Sequence, residues 1–332
     1  MRMTLGREVC GEEAEASARE WLVCNGLGGY ASGTVSGRPT RGAHGLLVAA
    51  AEPAGGRVLL LAALAEEVAG GSGAFELATF GWQGGAVSPQ GHRLIESFRL
   101  EGTVPTWRYA CGGDLLEKRV WMEPGENVTR VEYALVHATG PVRLRVKALV
   151  DHRDHHARSF AGAFAPEVEA ASSRVRVQAV PGGMPLFLEM DGAEAVAAAD
   201  WYRGFDLPRE RVRGLGDTQD HLHAATFEVT LQPGATVQFV AAAGAPGAPD
   251  AGALPRLRAR EADLLARFEA ANPAIAAKAP AWVRHLVLSA DQFVFARREG
   301  LSVIAGYHWF GDWGRDTMIS LPGLALTTGR PE

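Results

Sequence analysis

The residues best suited to chemistry lie together in one stretch, YHWFGDWGRDTMISLPG, which spans residues 307–323. It combines aromatic side chains with two aspartates, Asp312 and Asp316, and one arginine, Arg315. Indole and phenyl rings offer flat apolar faces to pyranose rings, and carboxylate and guanidinium groups form hydrogen bonds with sugar hydroxyls. The pattern therefore indicates recognition of a carbohydrate.

Two interpretations of Asp316 follow from the residues alone. The apolar run TMISLPGLALTTG predicts a helix that ends near Gly329, and Asp316 is then an N-cap that accepts backbone N–H groups. In the other interpretation, Asp316 projects into a cavity where helix N-termini converge. Pro322 lies inside this helix and predicts a kink or a broken start. Gly311 and Gly314 are expected to permit a close approach of the backbone.

Other segments carry polar residues beside glycines or at strand ends. GLGGYA at 26–31 matches the loose dinucleotide-binding pattern, but the sequence after it disfavours a helix, so a glycine-rich turn between strands is favoured. DHRDHH at 151–156 has the residue types of metal ligands without a matching group elsewhere, and we predict no metal and no cofactor. RGAHG at 41–45 and WYRGF at 201–205 suit hydroxyl recognition and equally suit surface turns.

Composition and charge exclude several classes of protein. The 332 residues carry a net charge of -5 with a pI near 6.1, and the basic residues are scattered, which argues against a nucleic-acid partner. No apolar run is long enough to span a membrane. Three cysteines at wide spacing give neither a disulfide framework nor a zinc pattern. With no signal peptide at the N-terminus, we expect a cytoplasmic protein.

The elements that position these residues are predicted by short apolar or alternating runs between residues 20 and 245. Runs such as VRLRVKALV, about 8–12 residues apart with turn signals between them, are typical of an antiparallel sandwich or barrel. A Gly/Ala/Pro-rich linker at 241–255 precedes a helix over RLRAREADLLARFEAA. A second helix is predicted over 281–297, and its broad apolar surface predicts that it is buried.

Several stretches resemble one known family. GYHWFGDWGRDTMISLPGL resembles the start of the catalytic domain of glycogen-debranching enzymes of the amylo-α-1,6-glucosidase type, glycoside hydrolase family 133. Residues 20–50 and the stretch WYRGFDLPRERVRGLGDTQDHL resemble parts of that family's N-terminal β domain. ADQFVFARREGLSVIAGYHWF resembles the join to the catalytic domain. The resemblance covers nearly the whole chain from residue 20, with its motifs in the right order.

The resemblance implies a mainly β chain with three parts. These are an antiparallel β super-sandwich domain over 1–245, a linker with a helix over 246–280, and the first helices of an (α/α)6 barrel over 281–332. The last part can supply only about two or three helices of average length. We therefore expect a truncated catalytic domain, and a chain that is a fragment or a short form of something longer.

The resemblance also implies a reaction, the inverting hydrolysis of α-1,6-linked glucose at branches of glycogen or related α-glucans. The family's general acid corresponds to Asp316. The substrate-binding residues that correspond to the family, with an α-glucan or glycogen-derived oligosaccharide as partner, are Tyr307, His308, Trp309, Asp312, Trp313, Arg315 and His44. Inversion needs a second carboxyl group roughly 6.5–9.5 Å away, and in the family this base lies later in the barrel, beyond Glu332.

Two departures from the family pattern leave alternatives open. Gly42 and Ala43 stand where the family usually has a bulkier pair, and Gly216 and Gln219 stand where acidic residues are usual. One alternative is a related (α/α)6 inverting α-glycosidase, trehalase-like or mannosidase-like. The other is a non-catalytic glucan-binding β module. A substrate panel on the full-length gene product distinguishes the first of these from a debranching enzyme.

The purified chain of 332 residues is expected to release no glucose from a branched limit dextrin, because it carries the proposed acid and not the base. The measurement is glucose release over time against a blank without protein. Release above that blank would contradict this expectation.

Overall fold

The computed structural model describes residues 2–51, 56–297 and 300–331. In these ranges the strands are β1 (Arg2–Gly6), β2 (Glu20–Cys24), β3 (Tyr30–Thr34), β4 (Gly45–Ala51), β5 (Gly56–Gly70), β6 (Gly73–Glu76), β7 (Thr79–Gly81), β8 (Val87–Gln90), β9 (Ile95–Glu101), β10 (Val104–Cys111), β11 (Asp114–Met122), β12 (Val128–His137), β13 (Val142–Asp154), β14 (Glu167–Ala171), β15 (Arg174–Gln178), β16 (Leu186–Met190), β17 (Glu194–Asp206), β18 (Thr218–Leu231), β19 (Thr236–Ala243), β20 (Val294–Arg297) and β21 (Gly300–Val303). The helices are α1 (Arg7–Cys10), α2 (Glu13–Ser17), α3 (Pro208–Val212), α4 (Ala253–Ala271), α5 (Pro273–Ala276), α6 (Ala281–Gln292) and α7 (Gly314–Leu321), with a 3-10 turn at Gly91–Leu94 and a π-helical turn at Pro322–Leu326.

Two antiparallel sheets contain most of the strands, so the expectation of a mainly β antiparallel fold is confirmed. These sheets and the segments that connect their strands are here called the β region. The first sheet has the strand order β1-β9-β10-β11-β12-β19-β16-β15-β14. The second has the order β17-β18-β13-β5-β4-β3-β2, and β6 pairs with β5. The alternation in β13 shows why: Val142, Leu144 and Val146 are buried, whereas Arg143 and Arg145 point to the wetted face.

The two sheets pack face to face through aromatic and aliphatic side chains. Phe227 on the second sheet meets Phe239 on the first edge to face, with ring centroids 5.3 Å apart. Trp21 and Trp107 form a second such pair at 5.4 Å. The side chains on the inner faces of both sheets are buried, so the contact between the sheets supplies the main hydrophobic stabilisation of the sandwich.

Some strands differ from the sequence prediction for physical reasons. The run FELATF was predicted as one strand, but it divides between β6 and β7. The strand β17 was not predicted, because it lies at the edge of its sheet and most of its residues are exposed or half-buried. An edge strand of this kind lacks the clear alternation by which strands are recognised.

The helix predicted after the linker is confirmed by α4, whose buried residues Leu257, Leu264 and Phe268 lie on one face. The prediction for the next helix is wrong in two respects. The helix α6 ends at Gln292, because the next residues form β20 and pair with β21. It is also not buried all round, since Trp282 is 61% exposed.

The expected start of an (α/α)6 barrel stays a prediction, since α6 and α7 alone do not define that architecture. The helix α7 ends where Pro322 begins the π-helical turn, as the position of this proline predicted. In the described ranges, no helix is long and apolar enough to cross a membrane.

Replacing Phe239 by alanine is expected to lower the free energy of unfolding by about 3–5 kcal/mol, because it leaves a cavity between the sheets. Phe160→Ala is the matched control, since Phe160 is 47% exposed and its loss costs less than about 1 kcal/mol. Urea unfolding followed by circular dichroism measures both. Equal losses in the two variants would contradict a core role for Phe239.

Candidate functional site

The aromatic stretch forms a loop that begins after β21 and ends at the start of α7. Its two ends are held together, because Ile304 and Asp312 form a β-bridge and the N–H of Ala305 donates to the carbonyl of Gly311 at 2.9 Å. At the tip, the N–H of Trp309 donates to the carbonyl of Gly306 at 3.1 Å. The loop is therefore closed on itself, and its tip is carried to the surface of the second sheet.

Tyr307 and His308 are packed against the β region. The ring of Tyr307 lies 5.3 Å from that of Tyr30, and burial raises the pKa of its phenol well above the usual value. Nε2 of His308 lies 2.8 Å from Oγ of Ser32. Burial lowers the pKa of His308 to about 3, so the imidazole is neutral at pH 7. These two side chains anchor the loop.

His44, from the RGAHG segment, lies next to this anchor. Its ring centroid is 5.4 Å from that of His308, and its side chain is almost fully buried, which lowers its pKa. Nδ1 accepts the N–H of Thr40 at 3.2 Å, so Nε2 carries the proton and lies 3.2 Å from Oε1 of Glu20. Burial raises the pKa of Glu20, but hydrogen bonds from His44 and Arg41 outweigh it and lower this pKa to about 2.

Trp309 is covered by two cations of the β region. The guanidinium carbon of Arg213 lies 4.5 Å from the centroid of its ring, and that of Arg41 lies 5.2 Å away. Both distances are within the range of cation–π attraction. The indole of Trp309 is thus occupied by protein groups, whereas Trp313 is 59% exposed.

The second half of the stretch faces outward. Asp312 accepts hydrogen bonds from the side chains of Arg297 and, at 3.3 Å, Ser302. The helix α7 begins at Gly314 with Trp313 at its N-cap, and no side chain of the described residues caps it. The N-cap interpretation of Asp316 is therefore wrong, because this residue lies inside the first turn.

Asp316 lines an open depression of about 350 Å³ on the surface. The other residues of its wall are Phe293, Val303, Ile304, Ala305, Ile319, Ser320 and Leu324. In the described part of the chain, the carboxylate of Asp316 has no hydrogen-bond or ion-pair partner. Arg315, beside it, is exposed. Within the described ranges, an added Cβ at Gly311 or Gly314 would meet no protein atom within 4 Å, so these glycines are not closely approached there.

The structure therefore divides the predicted site residues into two groups. Tyr307, His308, Trp309 and His44 contact one another or the β region, and Asp312, Trp313, Arg315 and Asp316 lie on the outer side. Sequence reasoning missed the partners of the inner group, which are Glu20, Ser32, Arg41, Arg57 and Arg213. Four of these, Glu20, Ser32, Arg41 and Arg213, lie within stretches that resemble the family, and that resemblance was the available signal.

The remaining sequence motifs have structural roles. In GLGGYA, the side chain of Asn25 accepts the N–H groups of Leu27 at 2.9 Å and Gly29 at 3.0 Å, and β3 follows directly, so a turn between strands is confirmed. In DHRDHH, Asp151 is buried and bonds to Arg153. Among the described residues, no group of three or more His, Cys, Asp or Glu side chains is arranged to hold a metal ion.

Comparison with known families finds two matches along the chain. The family described as glycogen debranching enzyme N terminal matches residues 19–238, which is more than half of the sequence. The chain belongs to this debranching-enzyme family. A second family, described as amylo-alpha-1,6-glucosidase, matches residues 288–332 and so includes the whole aromatic loop and α7. No curated protein matches the sequence.

Three solved structures match this debranching-family chain at low sequence identity. A bacterial glucoamylase complexed with acarbose has 10% identity and a TM-score of 0.32 over 73% of this chain. A protein from the human microbiome, titled a putative kojibiose phosphorylase, has 7% identity and a TM-score of 0.38 over 88% of this chain. A glycosyl hydrolase of family gh92 has 11% identity and a TM-score of 0.31 over 86%. This chain spans 33%, 41% and 38% of their lengths, respectively.

The buried histidines predict a loss of stability in acid. The pKa of His308 is about 3 when folded and 6.5 as the ordinary value, so between these pH values only the unfolded chain binds the proton. The neutral imidazole of His308 contributes its full share to the free energy of unfolding above pH 6.5. This share decreases as the pH falls from 6.5 to 3, and at pH 5 it has decreased by about 2 kcal/mol. His308→Gln should lose that much less between pH 7 and pH 5 than the parent chain.

Urea unfolding at the two pH values measures the effect. His137→Gln is the control, since His137 is exposed on β12. In this variant the free energy of unfolding should change with pH as it does in the parent. Equal pH dependence of the parent and His308→Gln would contradict the burial of a neutral imidazole.

Proposed function

We propose that this chain is the β domain and the general-acid segment of an α-glucan debranching hydrolase, which cleaves α-1,6-glucosidic branch linkages with inversion. In this proposal, residues 1–245 form the β-sandwich domain, 246–280 the linker, and 281–332 the first part of the catalytic domain. The observation that carries it is the position of Asp316: a carboxylate with no hydrogen-bond or ion-pair partner among the described residues, in the first turn of α7, at the wall of an open depression. The two family matches, in chain order, support the same assignment.

The proposed chemistry needs little from this chain beyond one proton and a surface for the sugar. The carboxyl of Asp316 donates its proton to the glycosidic oxygen as the bond to the anomeric carbon breaks. A water molecule attacks that carbon from the opposite face and loses a proton to a base. In the family that the chain resembles, this base comes from a later part of the catalytic domain than the segment that carries Asp316.

The exposed aromatic rings are the proposed contacts for the glucan. Phe310 is 48% exposed and Trp313 59%, and their rings are perpendicular with centroids 6.5 Å apart. A corner of this kind offers one ring face to a pyranose and a ring edge beside it. Arg315 is exposed next to this corner and supplies donors for hydroxyl groups. A cytoplasmic location and the α-glucan partner stay predictions.

The experiment replaces Asp316 by asparagine in the complete gene product and measures glucose release from a limit dextrin. The expected loss in kcat is about 10²–10⁴-fold, the usual contribution of a general acid. The variant should keep most of its activity on α-glucosyl fluoride, because fluoride leaves without being protonated.

Asp263→Asn is the matched control for that experiment. Asp263 lies on α4, with its side chain 59% exposed in an ion pair with Arg267, so its replacement should leave kcat unchanged. A similar loss on both substrates in Asp316→Asn would contradict the role of acid. Activity of the parent on trehalose or a mannoside, with none on the dextrin, would instead favour the alternative glycosidases.

A further inference from the structure

We propose that the β region positions the acid-bearing segment through a clamp on Trp309, formed by Arg41 and Arg213 and joined by Glu210. The proposal deepens the proposed function and rests on it. It assigns to Trp309 the role of an anchor, in place of the sugar contact predicted from the family resemblance. Arg41, Arg213 and Glu210 become positioning residues, since they act on Asp316 only through the loop.

The clamp consists of two segments that are distant in the sequence. Arg41 lies in the loop before β4, and Arg213 follows α3. The carboxylate of Glu210 joins these segments: Oε1 accepts the N–H of Gly42 at 3.0 Å, and Oε2 accepts a hydrogen bond from Arg213 at 3.2 Å. The N–H of Arg209 also donates to a carbonyl of the first segment at 3.1 Å. The two arginines are therefore held on one frame.

Charge explains why two guanidinium groups occupy one indole. Two cations within 4.5 and 5.2 Å of the same ring centroid repel each other unless each is neutralised. Glu20 pairs with Arg41, at 2.6 Å between Oε1 and Nε, and Glu210 pairs with Arg213. Glu210 is only 7% exposed, and a buried carboxylate is stable only when its hydrogen bonds are satisfied. The arrangement is thus complete only when all four charges are present.

The position of Trp309 determines that of Asp316, because the chain between them is short and is held by further contacts. After Trp309, the carbonyl of Phe310 accepts a hydrogen bond from Arg57 at 3.1 Å, and the bridge of Asp312 to Ile304 closes the loop. The helix α7 then begins, and Asp316 lies in its first turn. Movement of the indole therefore moves the carboxylate, and a displacement of about 1 Å in a reacting group is enough to cost on the order of 100-fold in rate.

The first arm of the test measures the clamp itself on the chain of 332 residues. Hydrogen exchange of peptides that cover residues 304–316 reports local opening of the loop. Arg213→Ala should accelerate this exchange about 3- to 30-fold, the range of a cation–π contact. Arg213→Lys should restore most of the protection, because the cation over the ring is kept. In Trp309→Leu, the further change Arg213→Ala should have no additional effect.

Arg209→Ala is the matched control for this arm, since Arg209 is an exposed arginine on α3. Its replacement should leave exchange in the loop as in the parent. Equal exchange in Arg213→Ala and Arg209→Ala would overturn the clamp, whatever the activity of the protein.

The second arm measures kinetics in the complete gene product, per folded molecule, with limit dextrin as substrate. Arg213→Ala should lower kcat about 10- to 100-fold with KM changed less than about twofold, because the acid is misplaced while the sugar surface is kept. Arg213→Lys should recover most of kcat. An accelerated exchange together with an unchanged kcat would overturn the positioning role.

A parent protein without debranching activity is a different failure, because it overturns the proposed function and, with it, the positioning role. The hydrogen-exchange arm then still decides whether Arg213 holds Trp309. The two failures are distinguishable for this reason.

Discussion

The contact between the aromatic loop and the β region depends on one buried cation. Arg57 on β5 is 2% exposed, and in the described part of the chain no carboxylate pairs with it. Its Nε donates to the carbonyl of Gly28 at 2.8 Å and its Nη2 to that of Phe310 at 3.1 Å, and the rings of Tyr30 and Tyr307 lie beside the guanidinium. A buried charge is costly without such partners. Arg57 therefore links the glycine turn, β5 and the aromatic loop.

This constraint gives one loop two different sides. On the inner side, His308 contacts Ser32 on β3 and Trp309 contacts two arginines. These contacts hold the loop in place. On the outer side, Trp313 and Asp316 have no such partners in the part of the chain that the structure describes. The motif therefore combines a buried anchor with an exposed segment, and burial separates the two.

Much of the fold could be predicted from local sequence, and the exceptions are places where neighbours decide. The alternation in β13 and the apolar face of α4 are repeated signals over many residues, and both predictions are confirmed. The end of α6 could not be predicted, because residues 293–297 suit a helix and a strand equally. The carbonyl of Gly26 accepts the N–H of Ala296 at 2.7 Å and helps to fix this segment in the extended form. Such a contact joins residues 270 positions apart, outside any local pattern.

The sequence by itself determined the family, the antiparallel sandwich and the position of the aromatic stretch with its two aspartates. These follow from residue types and their spacing, which the chain carries whatever its conformation. Only the tertiary structure decided which aromatic residues of that segment are covered and which are open. Trp309 and Trp313 are the same residue type four positions apart, and one contacts Arg41 and Arg213 while the other faces solvent. Their difference arises from partners that are distant in the sequence, so no local pattern records it.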